Sequence, residues 1–193
     1  MRPLLAAVCV LALGACASGG QDPGPAPSRI APGLHSEAAP NQPPRPQDHS
    51  KYVAVPSGTP AAVTFGFPLC SLAAGARISA IRPTRVIGDG FSIVEIRLAT
   101  FDPHAGYTLA SPGYPPTPRP NEHDQTALGA APPACTDKAT ASEIQIGMTR
   151  SATAAGGGGG WDGTVVEYTL SGTKLSLEIP YGMLLCGTST DPC

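Results

Sequence analysis

The chain has 193 residues, a net charge of −2 and only 13% charged residues. This length suits a single domain. Because Lys and Arg are not in excess, no basic surface is expected to hold a phosphate backbone, and nucleic acid is excluded as an expected partner.

The first fifteen residues predict an export signal. The chain starts with the positive pair Met1-Arg2, and residues 4–13 form an apolar run of ten. Ten residues are too few to cross a hydrocarbon core of ~30 Å as a helix. A charged start, a short apolar run and an exit of small residues are typical of a cleaved signal peptide, here residues 1–15.

The apolar run closes on Leu13-Gly14-Ala15-Cys16. This resembles the lipobox of bacterial lipoproteins, which has Leu, two small residues and then Cys. The resemblance implies that Cys16 becomes the mature N-terminus and carries a diacylglyceryl thioether and a further acyl chain such as palmitate. The bilayer would then be a partner, and the protein would lie at the outer face of the cytoplasmic membrane, in the cell envelope. An ordinary secretory signal is the alternative, because Ala15-Cys16-Ala17 also fits the A-x-A cleavage pattern.

Residues 16–50 predict a lipidated cysteine followed by a disordered linker. The segment is rich in proline and has almost no large apolar residues and no periodicity. Such a chain cannot bury enough surface to offset the entropy of ordering it. We do not expect His35 and His49 to bind metal, since an unstructured segment seldom preorganises a site.

From residue 51 to residue 193 the pattern is that of strands separated by Gly and Pro turns. Alternation or β-branched residues predict strands at 52–55, 61–67, 77–87 (interrupted by Pro83), 91–100, 143–148, 164–170 and 173–179. Gly88-Asp89-Gly90 and Ser171-Gly172 are expected to form hairpin turns, and the alternation slips between Ile93 and Val94, which predicts either a bulge or two covered faces. We therefore predict an all-β fold, an antiparallel immunoglobulin-like β-sandwich preceded by the signal peptide and the linker; a partly open barrel is the alternative.

Two loops interrupt this pattern. Residues 101–141 form a long Pro-rich loop, which predicts a functional or a disordered segment. Its polar cluster, residues 121–124, is more typical of a solvated loop tip than of a metal or catalytic site. Residues 156–160 are all glycine and predict a flexible tip, with no Lys-Ser/Thr after it to make a nucleotide loop.

We expect these loops, rather than the sheet faces, to contact a partner without covalent chemistry, and the partner is expected to be a macromolecule. For Trp161, core or core-edge packing is favoured over an exposed binding role. The candidate binding residues are Tyr107, Tyr114, Glu122, His123, Asp124 and Trp161.

Four cysteines fall in the predicted domain: Cys70, Cys135, Cys186 and Cys193. They lack the C-x-x-C spacing of redox or metal sites, and export favours disulfides. We predict two disulfides, for which three connectivities are open.

No nucleophile elbow, H-E-x-x-H or S-x-x-K motif is present, so no catalytic residue, metal or cofactor is expected. The order of lipobox, Pro-rich tether and Cys-bearing β domain is similar to that of many actinobacterial surface lipoproteins, and the resemblance implies no activity. We expect a membrane-anchored, non-catalytic binding or adhesion module that contacts an unknown macromolecule of the envelope. The alternatives are a structural or assembly component of the envelope and a metal-binding or enzymatic exported protein.

Overall fold

A computed structural model describes residues 33–36, 52–56, 61–151 and 158–187, all within one compact unit. The described residues contain no α-helix, and the predicted all-β class is confirmed. The strands are β1 Leu34–His35, β2 Tyr52–Val55, β3 Ala62–Pro68, β4 Cys70–Ser71, β5 Arg77–Pro83, β6 Val86–Ile87, β7 Phe91–Phe101, β8 Ala110–Pro112, β9 His123–Thr126, β10 Ala141–Arg150, β11 Gly159–Trp161, β12 Thr164–Leu170, β13 Thr173–Ile179 and β14 Gly182–Leu185, with one 3₁₀ turn at Pro103–Ala105.

The largest sheet has five antiparallel strands in the order β8-β3-β10-β7-β9. Its centre, β10, carries Ile146 opposite Phe65 of β3 and Ile96 of β7, and these side chains face the core. Side chains alternate along a strand, so Glu143 and Gln145 point to the other face, where they too are fully buried. Both faces of the central strand are therefore covered.

The predicted irregularity in β7 is a bulge. Gly147 of β10 pairs with Glu95 and Met148 pairs with Ile93, which leaves Val94 as the extra residue. Since paired residues share a face, Ile93 and Glu95 lie on opposite faces although they are two positions apart. The bulge therefore places Ile93 on the face of Met148, while Glu95 stays on the outer face with Arg97.

The remaining long strands form a second set. β13, β12 and β5 form one sheet in that order. The next sheet has β14, β11 and β6 in the corresponding order, because each of these strands adjoins β13, β12 or β5 along the chain. Backbone hydrogen bonds join the two sheets at the bend, from Thr84 N to Gly163 O (2.8 Å) and from Asp162 N to Arg85 O (3.0 Å). Pro83 ends β5 at this bend, as its interruption of the sequence pattern predicted.

Two predictions about strand pairing are wrong. β2 runs parallel to β14, so this pair departs from the antiparallel arrangement. The turn at residues 88–90 does not close a hairpin, because β6 pairs with β11 whereas β7 pairs with β10 and β9. A glycine turn redirects the chain but does not determine which strands then pair.

Residues of both sets meet in one hydrophobic cluster. Phe65 and Met148 come from the five-stranded sheet, and Val166, Tyr168 and Trp161 come from the second set. All five are at most 1% exposed. This cluster is the core that positions the surfaces described below.

The predicted disordered linker, residues 16–50, is wrong for residues 33–36. Leu34 pairs with Ser71 of β4, and its side chain is 2% exposed in the core. A two-residue strand inside a Pro-rich segment shows no periodicity, which is why the sequence pattern does not predict it. The predicted signal peptide, Cys16 and His49 lie outside the described residues.

The predicted flexible tip, residues 156–160, is wrong for residues 158–160. Residues 158–160 are buried, and Gly159 begins β11. A Cβ on Gly160 would overlap the carbonyl oxygen of Met183 in β14. These glycines therefore serve close backbone packing and not only loop flexibility.

Candidate binding surface

Residues 102–122, which we call the strap, include the edge strand β8, and the segments before and after β8 lie on the outer face of the five-stranded sheet. Two glycines of the sheet make room for them. A Cβ on Gly66 would overlap the backbone of Thr108, and a Cβ on Gly147 would come within 2.5 Å of the Tyr114 ring. The backbone amide of Gly66 also donates a hydrogen bond to Leu109 O (3.3 Å). The long Pro-rich loop is thus ordered against the sheet by close contact.

The guanidinium of Arg119 holds the end of the strap. It lies 3.4 Å from the centre of the Phe101 ring, an arrangement in which the ring face attracts the cation. Its Nε donates to Glu122 Oε2 (2.8 Å), and its Nη1 donates to Gly106 O (3.0 Å). Its Nη2 lies 2.9 Å from Glu143 Oε1 and forms an ion pair with it, but the N–H···O geometry is not that of a hydrogen bond. Because Glu143 is fully buried, this ion pair compensates a carboxylate that would otherwise be very costly.

Gln145 connects the strap to the sheet at the same place. Its amide nitrogen donates to Glu122 Oε1 (3.1 Å) and to Glu143 Oε1 (3.0 Å), and its amide oxygen accepts from Arg97 Nη2 (3.1 Å). The backbone amide of Thr108 donates to the second oxygen of Glu143 (2.8 Å). The buried polar groups under the strap therefore form one connected network.

The network changes the titration of Glu122. Burial by itself raises the pKa of this carboxyl, but hydrogen bonds from the side chain and backbone of Arg119 and from Gln145 outweigh it and lower the pKa below its ordinary value of 4.5. Burial and the hydrogen bond to Glu95 raise the pKa of Tyr114 above its ordinary value. Both groups are therefore held in the charge state that the network needs at neutral pH.

Three predicted binding residues are engaged by their own domain. The Tyr114 hydroxyl donates to Glu95 Oε2 (2.7 Å), and Asp124 forms an ion pair with Arg97. The Glu122 side chain is 5% exposed, so the prediction of a solvated loop tip is wrong for this residue. Of the polar cluster, Glu122 helps to fasten the strap, whereas Asn121, His123 and Asp124 are exposed, as a solvated tip would be.

The other three candidate binding residues differ in their exposure. Tyr107 is 44% exposed and touches Phe101 edge-on at 5.6 Å, and His123 is exposed at the start of β9. Trp161 is 1% exposed, and its indole nitrogen donates to Thr164 Oγ1 (3.1 Å). Trp161 is therefore a core residue, as the sequence favoured, although it was also named as a candidate binding residue, and Tyr107 is the exposed aromatic candidate.

A cleft of about 170 Å³ lies beside Tyr107. Its polar lining includes His35, Asp137 and Lys138, none of which was a candidate binding residue from the sequence. His35 reaches the cleft because β1 pairs with β4, and β1 gave no sequence signal. Cys70 and Cys135 also line the cleft.

Cys70 and Cys135 form a disulfide with their Cα atoms 4.9 Å apart. It joins positions 65 residues apart, and closing a loop of that length is expected to stabilise the fold by about 4 kcal/mol in the chain-entropy account. Cys186 is also disulfide-bonded, and Cys193 lies outside the described residues. The structure thus selects the Cys70–Cys135 pairing among the connectivities left open.

In the part of the chain that the structure describes, no set of three or more His, Cys, Asp and Glu side chains is placed to hold a metal ion. No helix within those same ranges has the length and hydropathy to cross a membrane. Comparison with protein-family models and with curated proteins found no match for this chain.

Proposed function

We propose that the protein is an exported lipoprotein, anchored through Cys16, whose β domain is a non-catalytic binding module at the cell envelope. One observation carries the proposal: a disulfide-bonded β domain, with Cys70 joined to Cys135, follows the Leu13-Gly14-Ala15-Cys16 signal. Disulfides persist in oxidising compartments outside the cytoplasm, so the domain's chemistry agrees with the export signal. Two or three acyl chains on Cys16 would hold the protein stably at a bilayer.

The immunoglobulin-like sandwich is part of this proposal. Its support is the five-stranded antiparallel sheet and the second set of strands, which share one core. Sandwich domains of this kind present loops at the ends of the sheets as contact surfaces.

We place the partner contact around Tyr107 and the adjoining cleft. Tyr107 supplies a large exposed ring, and Lys138 and Asp137 supply charged groups of both signs beside it. Because Arg119 fastens the strap, Tyr107 is held in place before a partner arrives, and less ordering entropy is lost on binding. An aromatic anchor beside a small polar cleft suits a macromolecular partner of the envelope.

The anchoring is tested with Cys16→Ala in the full-length protein. We expect the variant to be released from membranes or to keep its signal, since it has no thiol to lipidate. Cys9→Ala is the matched control, because Cys9 lies in the apolar run and outside the lipobox. Normal processing and membrane retention of Cys16→Ala would refute the proposed anchor.

The contact surface is tested by placing a photo-crosslinking amino acid at position 107 in the anchored protein. Val86 is the control position, because it is also well exposed, at 56%, but lies on β6 of another sheet. We expect a discrete envelope product from position 107 that position 86 does not give. Identical products from both positions would show that the contact is not at Tyr107.

A further inference from the structure

The end of the strap has a near copy in the linker. Residues 118–123 read Pro-Arg-Pro-Asn-Glu-His, and residues 44–49 read Pro-Arg-Pro-Gln-Asp-His. The two differences exchange one amide for another and one acid for another. In both segments an acidic residue follows the arginine by three positions.

The shared arginine and the acidic residue three positions after it are the ones that bind the sheet. Arg119 stacks on Phe101 and pairs with buried Glu143, and Glu122 receives hydrogen bonds from Arg119 and Gln145. Of the residues that differ between the segments, Asn121 is exposed and holds a positive φ of 55°. The contacts therefore depend on an arginine and an acid at a fixed spacing, and residues 44–49 contain both.

We infer that the surface formed by Phe101, Glu143 and Gln145 is a docking site for a Pro-Arg-Pro-x-acid-His segment, and that residues 44–49 of a second copy are its alternative occupant. Arg45 would take the position of Arg119, and Asp48 that of Glu122. Asp48 is one methylene shorter than glutamate, so it reaches Gln145 less well. The strap is also part of the same chain as the site, so it occupies the site by preference.

The spacing of the chain favours a second copy over the same one. His49 precedes Tyr52 by three residues, which span at most about 10 Å. Tyr52 begins β2, which pairs with β14 in the other set of strands, whereas the strap lies on the outer face of the five-stranded sheet. Packed sheets are ~10 Å apart and the strap lies beyond the five-stranded sheet, so a segment that ends three residues before β2 is disfavoured at the strap site of its own chain.

The site is opened by Arg119→Ala in the purified full chain, and thermal unfolding is followed with and without Arg45→Ala. We expect Arg45→Ala to leave the melting temperature unchanged while Arg119 is present. In the Arg119→Ala background we expect it to lower the melting temperature, by an amount that grows with protein concentration. The measurement is made in solution, so it does not depend on membrane anchoring.

A peptide of residues 42–50 is then added to the variant that lacks both arginines. At ten times its dissociation constant it should raise the melting temperature by about 3–5 °C. The same peptide with alanine at the arginine should have no effect. Arg85→Ala serves as the matched control, because Arg85 pairs with Asp162 away from the strap and its loss opens no site.

If Arg119→Ala does not fold, Arg119→Lys carries the same test, since it keeps a charge opposite Glu143 but loses the planar fork. Equal effects of Arg45→Ala in both backgrounds, together with no response to the peptide, would overturn the inference. An effect of Arg45→Ala that is independent of protein concentration would overturn the assignment to a second copy.

Discussion

The β12–β13 hairpin and the strap are held in place by different physics. In the hairpin, Tyr168 pairs with Leu175 and Val166 pairs with Leu177, and these side chains pack in or against the core. In the strap, the arginine side chain of Arg119 bridges an aromatic ring and two carboxylates. The hairpin depends on apolar burial and a local turn, whereas the strap depends on charge pairing and close sterics with residues distant in sequence.

This difference predicts different sensitivities. Removing one charge of an exposed ion pair should change the free energy of unfolding little, because water solvates the charge that remains. Removing the partner of a buried carboxylate should lower it much more, because neither water nor a cation then compensates the carboxylate. Adding a methyl group to a glycine should lower the free energy of unfolding where the glycine backbone already touches an aromatic ring.

Arg119→Ala should lower the free energy of unfolding by about 3–5 kcal/mol, because it leaves Glu143 buried without its cation. Arg82→Ala is the matched change in the hairpin sheet, where Arg82 is 63% exposed and pairs with Glu167; its loss should cost at most about 1 kcal/mol. Denaturant unfolding followed by fluorescence of Trp161, the single tryptophan, measures both. Equal losses in the two variants would contradict the contrast between strap and hairpin.

Gly147→Ala should cost about 1–3 kcal/mol, because the new methyl group would overlap the Tyr114 ring. The cost should shrink in a Tyr114→Ala background, where the ring is gone. A double-mutant cycle of unfolding free energies measures this coupling. A fully additive cycle would show that the strap does not press on Gly147.

Acid should weaken the strap before the hairpin. The pKa of Glu122 is lowered in the folded state, so its carboxylate contributes stability above the ordinary value of 4.5. That contribution is lost as the pH falls from 4.5 through the lower folded pKa. We expect Glu122→Gln to be less stable than the wild type at neutral pH and to lose less stability over this acidic range. A wild-type and a variant curve that stay parallel from pH 6 to pH 3 would rule out Glu122 as the source.

The sequence predicted the strands whose own residues carry the signal. The alternation of β3, β10 and β13, the break at Pro83 and the bulge at Val94 are local features, and each is found in the structure. The pairing of β12 with β13 was predicted from the Ser171-Gly172 turn and is found in the structure. The other pairings were not predicted, because turn residues such as those at 88–90 do not identify a partner. The parallel pairing of β2 with β14 had no signal for the same reason.

The candidate site was only partly predictable. The strap residues were selected for their chemistry, but a sequence does not show that Glu122 meets Gln145 or that Asp124 meets Arg97. These contacts are long-range and polar, and a Pro-rich segment held by them looks the same as a solvated loop. Tyr107 is exposed as expected, and Trp161 has the core packing that its residue type favoured and not the loop contact for which it was also named.

The smallest expected effect is in the hairpin turn. Ser171 and Gly172 both have positive φ values, 50° and 79°, as a type I′ turn requires. Asparagine tolerates this conformation better than serine, so Ser171→Asn should stabilise the protein by about 0.5 kcal/mol and raise the melting temperature by about 1–2 °C. Ser176→Asn is the control, since Ser176 is exposed within β13, where asparagine is disfavoured, and no rise is expected.

The same substitution tests whether the two regions are independent. Ser171 lies in the turn between β12 and β13, and the contacts of Arg119 are with Phe101, Gly106, Glu122 and Glu143. Because these contacts share no residue with the turn, the rise in melting temperature from Ser171→Asn should be retained in an Arg119→Lys background. If Ser171→Asn gave no gain in the Arg119→Lys background, the strap and the hairpin would stabilise each other through the core. The two regions would then differ in how much each interaction contributes and would not be independent.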